Sequence, residues 1–451
     1  MSVPDLWNPE QEMLTGEALR SLQLQHLRHQ LAYLYNHSEY YRTRMDRAGV
    51  RPEAVRSHED IHPIPCFDKN QHRESQEASL REYGHPYGLH LCAPLEKVVG
   101  VQATSGTTGL PTFYTFTQHD CAVNNEVIAR TLWRIGLRPG DTVMHGFALS
   151  MFVGGAPWLG AMQAMGLRVI PVGAEGGTAR LLQFAQLTKP KALLCTPSYA
   201  EHLIERAPEL IGDEVASLGI QTLMCGGEPG AGDPAVRARL EAAYEANIFD
   251  GMGGAWGFFM VSCREHQGMH IVSPDLCLVE AIDPDTGQAL VIKDGTVAEM
   301  AFTSLDWEAG PILRYNMGDI AEFLTAPCAC GLPGTRYRIL GRADDMLIVK
   351  GINVYPAAVR NVVAGFAPRV TGAMRIVLDE PGPRITPPLL LRIEHGTDVG
   401  QDDLPALRAQ LEEHIRDLLR FRPKIELVPP GSLERSAHKT KLIIKRYEDE
   451  T

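Results

Sequence analysis

Between residues 142 and 246 the chain alternates two apolar patterns, and that alternation narrows the fold more than any other feature. Short apolar runs at 142–151, 167–172, 192–196 and 222–224 read as strands. Stretches with helical spacing, such as 178–187 and 234–246, lie between them. Strands alternating with helices predict sheets layered with helices, an α/β fold. Upstream, residues 17–35 read as a helix, with leucines at 19, 22, 24, 27, 31 and 34 mostly on one face. Pro63 and Pro65 break that pattern and a polar segment follows.

Beyond Gly341 the character changes. Asn353-Val354-Tyr355-Pro356 opens a short helix with Val359, Val362, Val363 and Phe366 on one face. Residues 374–378, 389–393 and 425–428 read as strands, and Leu404, Leu407, Leu411, Ile415 and Leu418 as a helical stripe. This is a compact α+β unit of roughly a hundred residues, a usual domain size. The expected organisation is a large N-terminal domain of several subdomains over residues 1–342 and a small C-terminal domain over 343–451.

The 451 residues carry 43 Lys and Arg against 55 Asp and Glu, a formal net charge of −12. Negative charge repels phosphate backbones and anionic lipid, so neither nucleic acid nor a membrane surface is an expected partner. A local basic lining around a nucleotide pocket remains compatible with this balance. The first residues lack a basic-then-apolar leader pattern, and the apolar stretch 143–170 is broken by glycines, Pro157 and Arg168. A cytoplasmic location is expected. Nine cysteines, mostly scattered singly, argue against a disulfide framework.

Thr104-Ser105-Gly106-Thr107-Thr108-Gly109-Leu110-Pro111-Thr112 is the most informative segment. Glycines let backbone N–H groups approach phosphate oxygens, and the hydroxyls of Thr104, Ser105, Thr107 and Thr108 add donors. The Gly-Lys-Ser/Thr of a Walker A loop is missing. The string resembles the phosphate-binding loop of the adenylate-forming superfamily, and more narrowly of the phenylacetate-CoA ligase family. The likeness runs from Tyr40-Tyr41-Arg42, through Pro86-Tyr87-Gly88-Leu89, to Lys439. One departure is Leu110, where the superfamily often has a lysine that helps hold pyrophosphate.

The resemblance assigns roles to other segments. Cys225-Gly226-Gly227-Glu228-Pro229-Gly230 is similar to the family's adenine-contacting turn, through Gly227, Glu228 and Pro229. Asp250-Gly251-Met252-Gly253-Gly254 stands where the family has Tyr-Gly-x-Thr/Ser-Glu. Phe249 is the nearest aromatic to the family's adenine-side tyrosine. Gly254 replaces the glutamate that binds Mg²⁺, so Asp250, or phosphate oxygens and waters, would hold the metal. Asp319, in Tyr315-Asn316-Met317-Gly318-Asp319, matches the ribose ligand. In Gly341-Arg342-Ala343-Asp344, Asp344 matches the hinge about which a mobile C-terminal domain swings between adenylation and thioester formation. Lys350 and Gly351 would line the pantetheine tunnel. Lys439 matches the catalytic lysine that bridges carboxylate and α-phosphate, with Lys441 the fallback.

Cys328-Ala329-Cys330 and the upstream Cys263-Arg264-Glu265-His266-Gln267-Gly268-Met269-His270 together offer a tetrahedral zinc site. The favoured ligands are Cys263, His270, Cys328 and Cys330, with His266 the alternative fourth. Some members of the ligase family carry a structural zinc in a similar arrangement. The segment 145–152 aligns with the family's acyl-binding region. Phe147, Phe152, Trp256 and Phe258 would form an aromatic slot suited to flat aromatic acids.

The leading expectation is therefore ATP-dependent activation of an acid, with ATP, Mg²⁺ and coenzyme A as the small molecules involved. An amine or carrier-protein thiol as acceptor, or a catalytically degenerate binding protein, stays open. So does the oligomeric state, with a homodimer the assembly considered.

Overall fold

The computed structural model describes residues 5–104, 111–350, 352–433 and 442–449. The strand–helix alternation folds as a parallel sheet. Strands Arg168–Ile170, Thr142–His145, Ala192–Cys195, Thr222–Gly226 and Asn247–Gly253 lie side by side in that order, all parallel. Helices Ala156–Ala164, Thr178–Thr188, Pro197–Ile211 and Pro234–Tyr244 make the crossovers. Every residue of Ala192–Cys195 is buried, as a parallel strand covered on both faces requires.

The sheet then turns antiparallel. Phe259–Ser262 pairs with Asn247–Gly253, followed by Met269–Ile271, Arg336–Arg342, Tyr315–Leu324, Thr296–Ser304, Cys277–Ile282 and Ala289–Leu290. Phe67–Asp68 joins Tyr315–Leu324 in parallel, for thirteen strands among the described residues. The expected strand over 142–151 ends at His145. Gly146 then donates its N–H to the Leu194 carbonyl (2.8 Å), and 147–152 form a loop at the sheet's carboxyl edge.

Helix Gly16–His37 buries Leu27, Leu31 and Leu34 against Tyr41, Met45, Leu278, Leu305 and Leu313. The segment read as merely polar after Pro65 is a fifteen-residue helix, Lys69–Tyr83. Asp68 caps it in a reciprocal pair with Gln71, and Gly84 ends it at φ +76°. Its buried face carries His72, Ser75, Gln76 and Ser79, so no apolar period announces it.

After Arg342 a separate core begins. Helices Pro356–Ala364 and Leu404–Leu419 cover a four-stranded sheet ordered Pro423–Val428, Leu389–His395, Val370–Leu378, Ile443–Lys445. Val359, Val363, Met374, Ile376, Leu391, Ile393, Leu407, Leu411 and Ile415 fill it. Ala364, at the end of its helix, packs instead into the core beneath the parallel strands of the larger unit. No described helix is long and apolar enough to cross a membrane.

Candidate active site at the carboxyl edge of the parallel strands

In an open parallel sheet, ligands bind beyond the carboxyl ends of the strands, where the strand order reverses. Here Thr142–His145 is that point: the next strand lies on one side of it and the following strands on the other. The loop over 147–152 and the turn after Gly226 leave the sheet at this edge, and strand Asn247–Gly253 ends there, with Gly254 just beyond it.

Thr104 ends one arm of a hairpin, Gly100–Ala103 against Phe113–Phe116. Its N–H donates to the Thr112 carbonyl (3.0 Å), and its hydroxyl accepts from the Thr112 N–H (3.2 Å). These bonds close the neck of the glycine-rich loop. Ser105, Gly106, Thr107, Thr108, Gly109 and Leu110 lie outside the described residues. The Ala103 N–H donates to the Met151 carbonyl (2.6 Å), so the hairpin and the candidate acyl loop are tied together.

Gly226 pairs with Gly251 across the sheet. A Cβ at Gly226 would sit 2.8 Å from the Gly251 carbonyl oxygen, so a side chain there would force the strands apart. Gly227 turns at φ +84°, a conformation glycine adopts at no steric cost. The buried Glu228 carboxylate accepts from the Ser198 N–H (2.9 Å), pinning the turn to helix Pro197–Ile211. Pro229 follows, half-buried. Phe249 requires a correction: it is 2% exposed, inside the core and in the middle of strand Asn247–Gly253, where it has no free face for a base. Asp250 is pushed up to about 7 by burial, with Arg360 the main opposing charge.

Asp319 and Arg342 face each other across paired strands, Oδ1 to Nη1 at 3.5 Å. Arg342 forks onto Asp344, Nε and Nη2 each 2.8 Å from a carboxylate oxygen. Burial pushes the Asp344 carboxyl up, but the Arg342 bonds outweigh it and hold it below the usual range. The result is a chain of charges from the ribose-side candidate to the hinge candidate. Lys350 is exposed at φ +52°, while Gly351 and Lys439 lie outside the described residues.

Of the acyl candidates, Phe147 and Phe152 are half-buried on the loop. The Phe147 ring reaches within 4.0 Å of where a Gly226 Cβ would be. Trp256 is buried edge-on to Tyr114, ring centroids 4.8 Å apart. Phe258 is the second correction. Its ring stacks on Phe302 at 4.3 Å inside the core and lines no slot. Strand parity sends its neighbour Phe259 the other way, across Gly251 and Gly253, where it meets Trp158 at 5.0 Å. A Cβ at Gly253 would lie 2.1 Å from that ring. Trp158, a ring neighbour of Phe147 at 6.5 Å, and Phe259 beyond it were missed by sequence reading, and the alternation of the strand was the signal for the second.

Cys263, His270, Cys328 and Cys330 bring one donor atom each within 4.8 Å of one another. The Cys263 and Cys328 sulfurs are 3.7 Å apart, and Cys330 Sγ is 3.4 Å from His270 Nε2. A bonded disulfide is about 2 Å, whereas a tetrahedron with metal–sulfur bonds of about 2.3 Å has edges of about 3.8 Å. Three thiols and an imidazole at these spacings fit a closed tetrahedral metal site. Burial, with the charges of Arg134 and Arg336, lowers His270 to about 4, which keeps the ring neutral as a ligand must be. His266 is the third correction. It sits on a turn at φ +53° and aims Nε2 at Glu241 (3.7 Å), while the following strand carries His270 into the cluster.

The hollow of about 510 Å³ at Ser21, Arg28 and Glu53 is open, polar-rimmed and remote from these residues. A model of the AMP-binding enzyme C-terminal domain matches residues 351–446. A phenylacetate-coenzyme A ligase of Thermus thermophilus is 35% identical over 450 residues, spanning 96% of this chain and 97% of that one. A 2-hydroxyisobutyryl-CoA ligase in its postadenylation state superposes with a TM-score of 0.89 at 28% identity, over 98% of this chain and 93% of that one. In its thioesterification state the same ligase gives 0.71 at 29% identity, over 99% and 96%. By full-length identity to that Thermus enzyme, and by the matching C-terminal domain, the chain belongs to the phenylacetate-coenzyme A ligase family of adenylate-forming enzymes.

Proposed function

We propose that the protein is an aryl-acid ligase of the cytoplasm, forming an acyl-adenylate from MgATP and transferring the acyl group to coenzyme A. ATP-dependent acid activation followed by transfer to that thiol is the reaction of its family. In the first step a carboxylate oxygen attacks the α-phosphorus and pyrophosphate leaves. In the second the thiol sulfur attacks the acyl carbonyl and AMP leaves. The observation that carries the reading is the Asp319–Arg342–Asp344 chain at the junction of two separate cores. It joins a nucleotide-side carboxylate to the point about which the smaller unit would turn.

In this reading residues 1–342 bind the nucleotide and 343–451 form the lid, with Asp344 as hinge. Thr104 and its loop hold phosphates, the Gly227–Pro229 turn meets adenine, Asp319 accepts from the ribose hydroxyls, and Lys439 neutralises charge at the α-phosphate. Lys350 and Gly351 guide the pantetheine arm. Mg²⁺ finds no side-chain oxygen at Gly254, where the Trp256 ring lies 3.7 Å from a Cβ position, so it would be held by the nucleotide's own phosphates. Zn²⁺ at Cys263, His270, Cys328 and Cys330 would brace the large unit, since all four positions are protein ligands and none is left for substrate. Free cysteines at all nine positions suit a reducing compartment.

Phe147, backed by Trp158 and Phe259, favours a flat acid over a long aliphatic one. Pyrophosphate release across aryl, short aliphatic and long-chain acids tests this. Aryl acids should give the highest kcat/KM, and a preference for long chains would reject the aromatic assignment. Leu110 and Gly254 favour a second reading, a binder that has lost catalysis. ATP binding with no release for any acid would establish it.

A further inference from the structure

Helix Pro356–Ala364 has two working faces. Val359 and Val363, four apart, are buried in the lid core. Arg360 and Ala364, also four apart, face the larger unit, and Ala364 packs into that unit's core. Arg360 reaches further, and its Nη2 donates to the carbonyl of Pro229 in the adenine-side turn. Its Nε is sealed from solvent without a hydrogen-bond partner.

The socket it enters belongs wholly to the larger unit. Glu228, Asp233 and Asp250 are the carboxylates whose charge bears on Arg360. All three have backbone contacts of their own, Asp250 through Gly251. Glu228 accepts from the Ser198 N–H, and Asp233 caps helix Pro234–Tyr244 through the Ala235 and Val236 N–H groups (2.9 and 3.0 Å). Gly230 leaves the opening: a Cβ there would lie 2.7 Å from Arg360 Nη2 and 2.8 Å from Pro197. A cation on one body thus enters an acidic socket on the other, against the turn assigned to adenine.

We propose that Arg360 is a positioning residue, a latch that holds the lid in its adenylation-side orientation and must leave its socket before the thiol attacks. The inference rests on the two-step reading above. Its support is that the present arrangement follows the relative's postadenylation state, at 0.89, more closely than its thioesterification state, at 0.71. Any turn about Asp344 moves the helix relative to Pro229 and withdraws the guanidinium. A charge-assisted hydrogen bond made in one state and lost in the other shifts the balance between them by about tenfold or more.

The two half-reactions test this on the full chain. Arg360→Met keeps the length of the side chain and removes its charge, and Arg360→Lys restores a cation without the fork. Acid-dependent ATP–pyrophosphate exchange should fall about tenfold or more in Arg360→Met and recover in part in Arg360→Lys. Single-turnover transfer from supplied acyl-adenylate to coenzyme A should stay equal or quicken. Equal losses in both half-reactions, or no change in either, would overturn the latch. Wild-type protein that exchanges with no acid would instead sink the ligase reading itself, which separates the two failures.

Discussion

Arg314 sits at φ +52° with its side chain buried, and its hydrogen bonds explain why the chain accepts that conformation. Its Nε donates to both Glu280 oxygens (3.1 and 3.2 Å), and Nη1 donates to the carbonyls of His62 (2.6 Å) and Ile64. One side chain thus staples the N-terminal segment to the antiparallel strands. Burial pushes the Glu280 carboxyl up, and Arg314 opposes that. Arg314→Ala leaves the buried Glu280 carboxylate with only the half-exposed His62 ring (3.4 Å) beside it, so urea unfolding at neutral pH should show a loss of about 3–5 kcal/mol. The loss should shrink as pH falls, because a protonated Glu280 no longer needs the cation. In the sequence this arginine is only the flank of the Asp319 motif. Glu280 lies 34 positions away and the two carbonyls 252 and 250, and no local pattern announces them.

At the level of elements, regular apolar spacing was legible and polar burial was not. The helix Gly16–His37 and the stripe of Leu404–Leu419 follow their leucines. Helix Lys69–Tyr83 was invisible to that reading because it buries histidine, serine and glutamine. The Cys/His group proposed to hold zinc is intermediate. Cys328 and Cys330 are two apart in sequence, but choosing His270 over His266 needed the turn and strand between them. Native mass spectrometry should find one zinc per chain. Cys328→Ser or a strong chelator should remove it and lower the Tm by several degrees, since site formation is part of folding. Metal-free protein with an unchanged Tm would refute the site.

At the scale of the whole molecule, two cores meet at Arg342–Asp344, and the proposed chemistry divides between them. If Lys439 completes the adenylation site from the lid, Lys439→Ala should cut acid-dependent pyrophosphate exchange by about a hundredfold or more. Its Tm should match wild type, and transfer from supplied acyl-adenylate should persist. Exchange at the wild-type rate would move the role to another cation. What the sequence determined by itself was local: strand and helix periods, the glycine-rich string, the ordered motifs and the pair Cys328 and Cys330. These depend on neighbours within a few residues, where spacing alone sets which face a side chain takes. Tertiary structure decided the rest: the inward turn of Phe258, the choice of His270, and the entry of Arg360 into a socket on the other body. Each depends on surfaces brought together from distant parts of the chain, and only packing sets that geometry.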